Sequence, residues 1–70
     1  MEGIRKAREA AGLNQSELAR KLGVTPAAVN NMERPGKYPD PARLPAIADA
    51  LDVDVDALFE RDKREEARDG

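Results

Sequence analysis

Apolar residues recur along this chain at intervals of three and four and nowhere alternate over a sustained run, so the pattern predicts helices throughout. Glu2 to Ala11 reads as a first helix with Ile4, Ala7 and Ala11 inward; Gly12 ends it and Leu13 folds back over its terminus. Asn14 to Leu22 reads as a second, with Leu18, Ala19 and Leu22 on one face, Asn14 as its cap and Glu17 as the reciprocal capping partner three residues on. Gly23 stands where that helix must stop in a left-handed conformation, which Gly adopts without a Cβ clash. Thr25 then caps a third helix and Pro26 takes its first position, where a missing N–H costs nothing. This helix runs to about Arg34, with Val29 and Met32 inward. The short break between the second and third helices, with small Ala19 where they cross closest, reads as a helix-turn-helix over Gln15 to Glu33.

The turn cluster RPGKYPD separates this pair from a fourth helix, capped by Asp40 and opened by Pro41, whose buried stripe is Leu44, Ile47, Ala48 and Leu51. Pro45, one turn in, removes a backbone bond and is expected to bend the helix start. Asp52 takes the C-terminal place where Gly is more usual, a less favourable choice for a left-handed residue. Asp54 caps a last short helix with Leu58 and Phe59 as its apolar pair. The expectation is an all-α, compact five-helix bundle over residues 1–60, around Ile4, Leu18, Leu22, Val29, Met32, Leu44, Ile47, Leu51 and Leu58. Residues 61–70 are read as a charged C-terminal tail, a frayed helix or disordered.

Composition narrows the chemistry. Seventy residues make one small domain near the size where a single core is only just sufficient. With no Cys and no His there is no disulfide, no thiolate metal site and no imidazole proton shuttle, so no cofactor or metal is expected. No apolar run is long enough to span a membrane and the start lacks a signal-peptide core, so a reduced, cytoplasmic protein is expected. One Tyr and one Phe are too few for a base-stacking RNA surface. Carboxylates are plentiful, but they fall at helix starts and on polar faces, and so small a bundle encloses no substrate cavity; an enzyme is not expected.

The net charge of −2 at first counts against nucleic acid, and its distribution reverses that impression. Residues 1–43 carry eight basic side chains against five acidic, and residues 44–70 carry four against nine. The positive half holds the helix-turn-helix, the asymmetry expected of a face that meets phosphate. The plain alternative is a solvated surface charged at random.

Counted from Gln15, a small residue at the fifth place, Gly at the ninth and apolar residues at the fifteenth and eighteenth resemble the DNA-binding motif of the XRE/Cro-type phage-repressor family. The resemblance extends through AREAAGLNQSELA before the motif and MERPGKYP and LPAIADALDVDVDALF after it, roughly residues 3 to 60. It implies a lambda-repressor-like domain whose third helix lies in the major groove with Pro26, Ala27, Ala28, Asn30 and Asn31 toward the bases. Many members carry Gln, Arg, Lys or Ser there, so two Ala and a Pro weaken the expected specificity while leaving the docking mode; Asn can bond adenine and Ala can meet thymine methyls. Gln15 and Asn14 are implied as phosphate contacts at the second helix's start, and Arg34, Lys37 and Tyr38 as phosphate contacts on the following loop. Arg8 and Glu33 are implied as a largely buried structural ion pair.

These readings lead to a transcriptional regulator, a repressor or the antitoxin of a toxin pair, that binds double-stranded DNA as a homodimer through a surface around Val55, Leu58 and Phe59. The rival is a protein-interaction module that keeps the fold with weak or no DNA readout, its partner meeting the acidic C-terminal half. Arg34, Lys37 and Gln15 favour the first; Ala27 and Ala28 keep the second open.

Overall fold

The structure, a computed structural model, describes the backbone of residues 1–69 and the side chains of residues 1–62. Among the described residues five α-helices and one 3-10 turn follow in order: α1 (Glu2–Ala10), α2 (Gln15–Leu22), α3 (Pro26–Glu33), the turn Pro41–Arg43, α4 (Leu44–Ala50) and α5 (Val55–Asp69). No strand occurs among the described residues. The helices α2 and α3 pack on each other, α1 lies against α3 and α5, and α4 closes the base of α2.

Three helix ends share one device, in which the chain turns left-handed and an apolar residue folds back. After α1 the N–H of Leu13 reaches the Arg8 carbonyl at 3.1 Å, after α2 Val24 reaches Ala19 at 3.0 Å, and after α4 Val53 reaches Ala48 at 2.9 Å. The turning residues are Gly12, Gly23 and, at φ 57°, Asp52, the one non-glycine residue with positive φ among the described residues. Leu13, Val24 and Val53 all pack against the core. At the starts, Asn14 and Glu17 form a reciprocal capping box on α2, and Thr25 Oγ1 accepts from Ala28 N–H on α3.

The core contains Ile4, Leu18, Val29, Met32, Leu44, Ile47, Leu51 and Leu58, as the periodicity predicts, together with Met1, Ala7, Ala19 and Ala48. Two expected inward residues differ. Leu22 is only half-buried, because it lies in the last turn of α2 and lines an edge cleft with Val24, Met32, Arg43, Ala46 and Ile47. Ala11 is exposed, because α1 ends at Ala10 and the chain is already turning.

Pro45 stands at the start of the fourth helix. Lacking an N–H, it sits in the first turn of α4 and separates it from the 3-10 turn that Asp40 caps through Ala42 N–H at 3.0 Å. The fifth helix is longer than the predicted short one. It continues through Asp69, and its residues Arg61 and Asp62, assigned to the tail by composition, are half-buried against α1. Asp62 Oδ1 accepts the Gly3 N–H at 3.3 Å, supplying α1 with a carboxylate at its first turn, and Arg61 donates to the Lys6 carbonyl at 3.4 Å. The rest of the proposed tail contributes only backbone to the description, and Gly70 lies outside the described residues.

The crossing of α1 and α5 is set by Gly3. A Cβ built there would overlap the Leu58 carbonyl oxygen, so the two backbones touch where no other residue type fits. Beside this crossing the buried Met1 amino nitrogen donates to the carbonyls of Met32 at 2.6 Å, Arg34 at 2.8 Å and Lys37, which ties the end of α3 and its following loop to the core. Burial lowers the pKa of this amine, against the opposing pull of Asp62, Glu2 and Glu33.

Candidate nucleic-acid interface

The helix α3 divides cleanly. Val29, Met32 and Glu33 are buried, while Pro26, Ala27, Ala28, Asn30 and Asn31 are exposed on the opposite side. The division follows from an apolar i, i+3 pair on so short a helix: whatever does not face α1 and α2 faces solvent. The five residues implied as base contacts therefore share one accessible surface, which ends in the exposed Arg34, Lys37 and Tyr38 of the following loop.

Glu33 anchors this surface from beneath. Its carboxylate is 4% exposed and accepts from Arg8 twice, Nε to Oε2 at 2.6 Å and Nη2 to Oε1 at 3.2 Å. The third Arg8 donor, Nη1, reaches the Leu13 carbonyl at 2.8 Å, so one guanidinium joins α1, the turn after it and α3. The bond to Glu33 raises the Arg8 pKa further above its already high ordinary value. Geometry of this kind fixes where α3 stands relative to α1 and α2.

Gln15 is held rather than free. Its Nε2 donates to Glu33 Oε1 at 3.1 Å and to Asn30 Oδ1 at 3.2 Å, so both N–H groups of the amide are engaged within the protein. A phosphate at the start of α2 then has the backbone N–H groups of Gln15 and Ser16, which no carbonyl of that helix can reach, rather than the Gln15 amide. Asn14 is likewise occupied, its Oδ1 accepting from Glu17 N–H at 2.8 Å, which makes it a cap. Tyr38 is 57% exposed, but its hydroxyl lies 3.3 Å from Asp62 Oδ2, where it can donate to a carboxylate on α5. Among the described residues no carboxylate pairs with Arg34 or Lys37. Arg5, by contrast, lies between Glu2 and Glu9 at 3.2 and 3.4 Å and adds little to the field.

The sequence reading missed the Gln15–Asn30 link and the part of Asp62. The first joins residues fifteen positions apart on two helices, and the second lies where composition marks a tail. No local pattern signals either one, because each forms only when separate helices pack together.

No group of His, Cys, Asp or Glu among the described residues is arranged to hold a metal. Among the described residues no helix is long and apolar enough to cross a membrane. One open surface cleft, near 400 Å³, is bounded by Lys21, Leu22, Ala46, Asp49 and Ala50.

No solved structure matches the chain. A family model described as Helix-turn-helix matches residues 4–58, from the middle of the first turn of α1 to the first residues of α5. That span contains the capped α2, the left-handed Gly23, the half-exposed α3 and the Arg8–Glu33 anchor, and the chain belongs to the XRE/lambda-repressor-like helix-turn-helix family of DNA-binding regulators.

Proposed function

We propose that the protein is a transcriptional repressor that docks α3 in the major groove of double-stranded DNA as a two-fold dimer. The observation that carries this reading is the exposed face Pro26, Ala27, Ala28, Asn30 and Asn31, continuous with the exposed cations Arg34 and Lys37, which no carboxylate among the described residues pairs, and backed by a buried ion pair. Arg34, Lys37 and the first N–H groups of α2 meet phosphates and set the register. Asn30 and Asn31 meet base edges, while Ala27, Ala28 and Pro26 offer apolar contact to thymine methyls. Tyr38 and the Asn14 side chain position the loop and the helix start instead of meeting phosphate. Such a module covers one half-site, and pairing two copies supplies the affinity that one lacks. The dimer surface is Val55 and Phe59 on α5, which are half-buried and exposed; Leu58, grouped with them by sequence, is fully buried and takes no part. A cytoplasmic location is part of the same proposal.

Selection of bound duplexes from a random-sequence pool tests the reading. The expected result is enrichment of paired half-sites about one helical turn apart, with A·T-rich positions where Ala27 and Ala28 lie. Absence of retained duplex at low salt would overturn it in favour of a protein-interaction module.

A further inference from the structure

The bonds beneath α3 form a chain with a direction. Glu33, paired with the Arg8 guanidinium, offers only acceptors, so the Gln15 amide that meets it at 3.1 Å must present N–H and not its carbonyl. The second N–H of the same nitrogen points at Asn30, 3.2 Å away, and must find an acceptor there. Asn30 therefore turns its carbonyl inward to Gln15 and leaves its NH2 group outward on the exposed face. Reversing Gln15 would set its carbonyl against the carboxylate and forfeit a charge-assisted bond, which fixes the orientation of both amides from the buried end.

We infer that Glu33 and Gln15 act as positioning residues that make Asn30 a hydrogen-bond donor toward the major groove. This rests on the DNA-binding reading above and names how one of its base-reading residues chooses. A donor at Asn30 favours a base edge that presents acceptors, N7 and O6 of guanine, N7 of adenine or O4 of thymine, and disfavours the N4 amino group of cytosine. Its engaged carbonyl makes Asn30 a poor candidate for the two-point contact with adenine, which needs both ends of the amide. Among the described residues nothing bonds the Asn31 amide, so that role falls to Asn31. The two neighbouring asparagines thus read differently, and the buried ion pair decides which way the first one reads.

Two experiments test the inference. In the free protein, hydrogen exchange of side-chain amides by NMR should show Gln15 NH2 protons exchanging more slowly than those of Asn30. The opposite order would overturn the inference without any DNA present. In selection of bound duplexes, Asn30→Asp replaces the outward donor by an acceptor and should transfer the preference at one position per half-site to cytosine. Gln15→Met removes the link and should broaden preference at that same position, with a roughly tenfold loss of discrimination there, although Gln15 touches no base. Equal affinity loss over all sequences, with the base preferences of both variants unchanged, would overturn the inference alone. Failure of the unaltered protein to retain any duplex would overturn the DNA-binding reading and this inference with it.

Discussion

Arg34, Lys37 and Asn31 lie on one surface but answer to different physics. Phosphate contacts are blind to sequence and release counterions, whereas base contacts discriminate. Removing either cation should weaken binding to every duplex and reduce the slope of log affinity against log salt by about one unit, since roughly 0.9 counterions leave per neutralised phosphate. Asn31→Ala should leave that slope unchanged and flatten the preference at one base pair by about 1–3 kcal/mol, measured by competition between duplexes. Behaviour of Lys37→Ala and Asn31→Ala that could not be told apart would remove the distinction. Arg8 belongs to another category, since its partner Glu33 is almost wholly buried. Arg8→Ala strands that charge and should lower stability in urea unfolding by about 3–5 kcal/mol, most of a small domain's margin. Replacing both partners, Arg8→Met with Glu33→Leu, should recover much of the loss, because no buried charge is then left unpaired.

At the scale of the elements, the position of α5 depends on a residue that has no side chain. Gly3 lets α1 and α5 meet backbone to backbone, and a Cβ there meets a carbonyl oxygen, which cannot swing aside as a side chain can. Gly3→Ala should therefore cost about 1–3 kcal/mol in thermal or urea unfolding in spite of the better helix propensity of Ala. An unchanged or raised midpoint would show that the two helices separate without penalty. The same displacement withdraws Asp62 from the first turn of α1 and from Tyr38, so the loop bearing Arg34 and Lys37 should loosen with it. Helix ends are less sensitive. The C-terminal ends of α1, α2 and α4 each close on a left-handed turning residue and a returning apolar side chain, a local device.

For the molecule as a whole, the proposed function draws on two surfaces among the described residues, the exposed face of α3 and the apolar part of α5. Phe59 is 40% exposed on a helix that otherwise buries its large apolar residue, Leu58. If pairing of copies runs through Phe59 and Val55, Phe59→Asp should leave the circular-dichroism spectrum helical, shift sedimentation on a paired half-site from two protomers per duplex to one, and weaken binding steeply. Retention of two protomers by that variant would move the dimer surface elsewhere. Residues 1–43 carry the excess of positive charge, much of it from Arg34, Lys37 and Arg43 on the loop and 3-10 turn after α3, and residues 44–70 the excess of negative charge, so the charge is polarised along the chain even though the net charge is −2.

Periodicity, caps and turn residues were enough to determine the all-helical architecture, the bounds of α2 and α3, and most of the core. These depend on neighbours three or four residues away, which the sequence displays directly: Asn14 with Glu17, Thr25 with Pro26, Leu18 with Leu22. The family motif also pointed to Arg8 and Glu33, whose pairing no local pattern contains. What only the tertiary structure decided depends on residues far apart in the chain. Gly3 reads as an ordinary small residue until α5 lies across it, and Asp62 reads as part of a tail until it meets Gly3 and Tyr38. Gln15 reads as an available phosphate donor until both of its N–H groups are taken by α3. The sequence shows which groups can donate or accept; their direction is set only when helices from different parts of the chain bring those groups within 3.2 Å of each other.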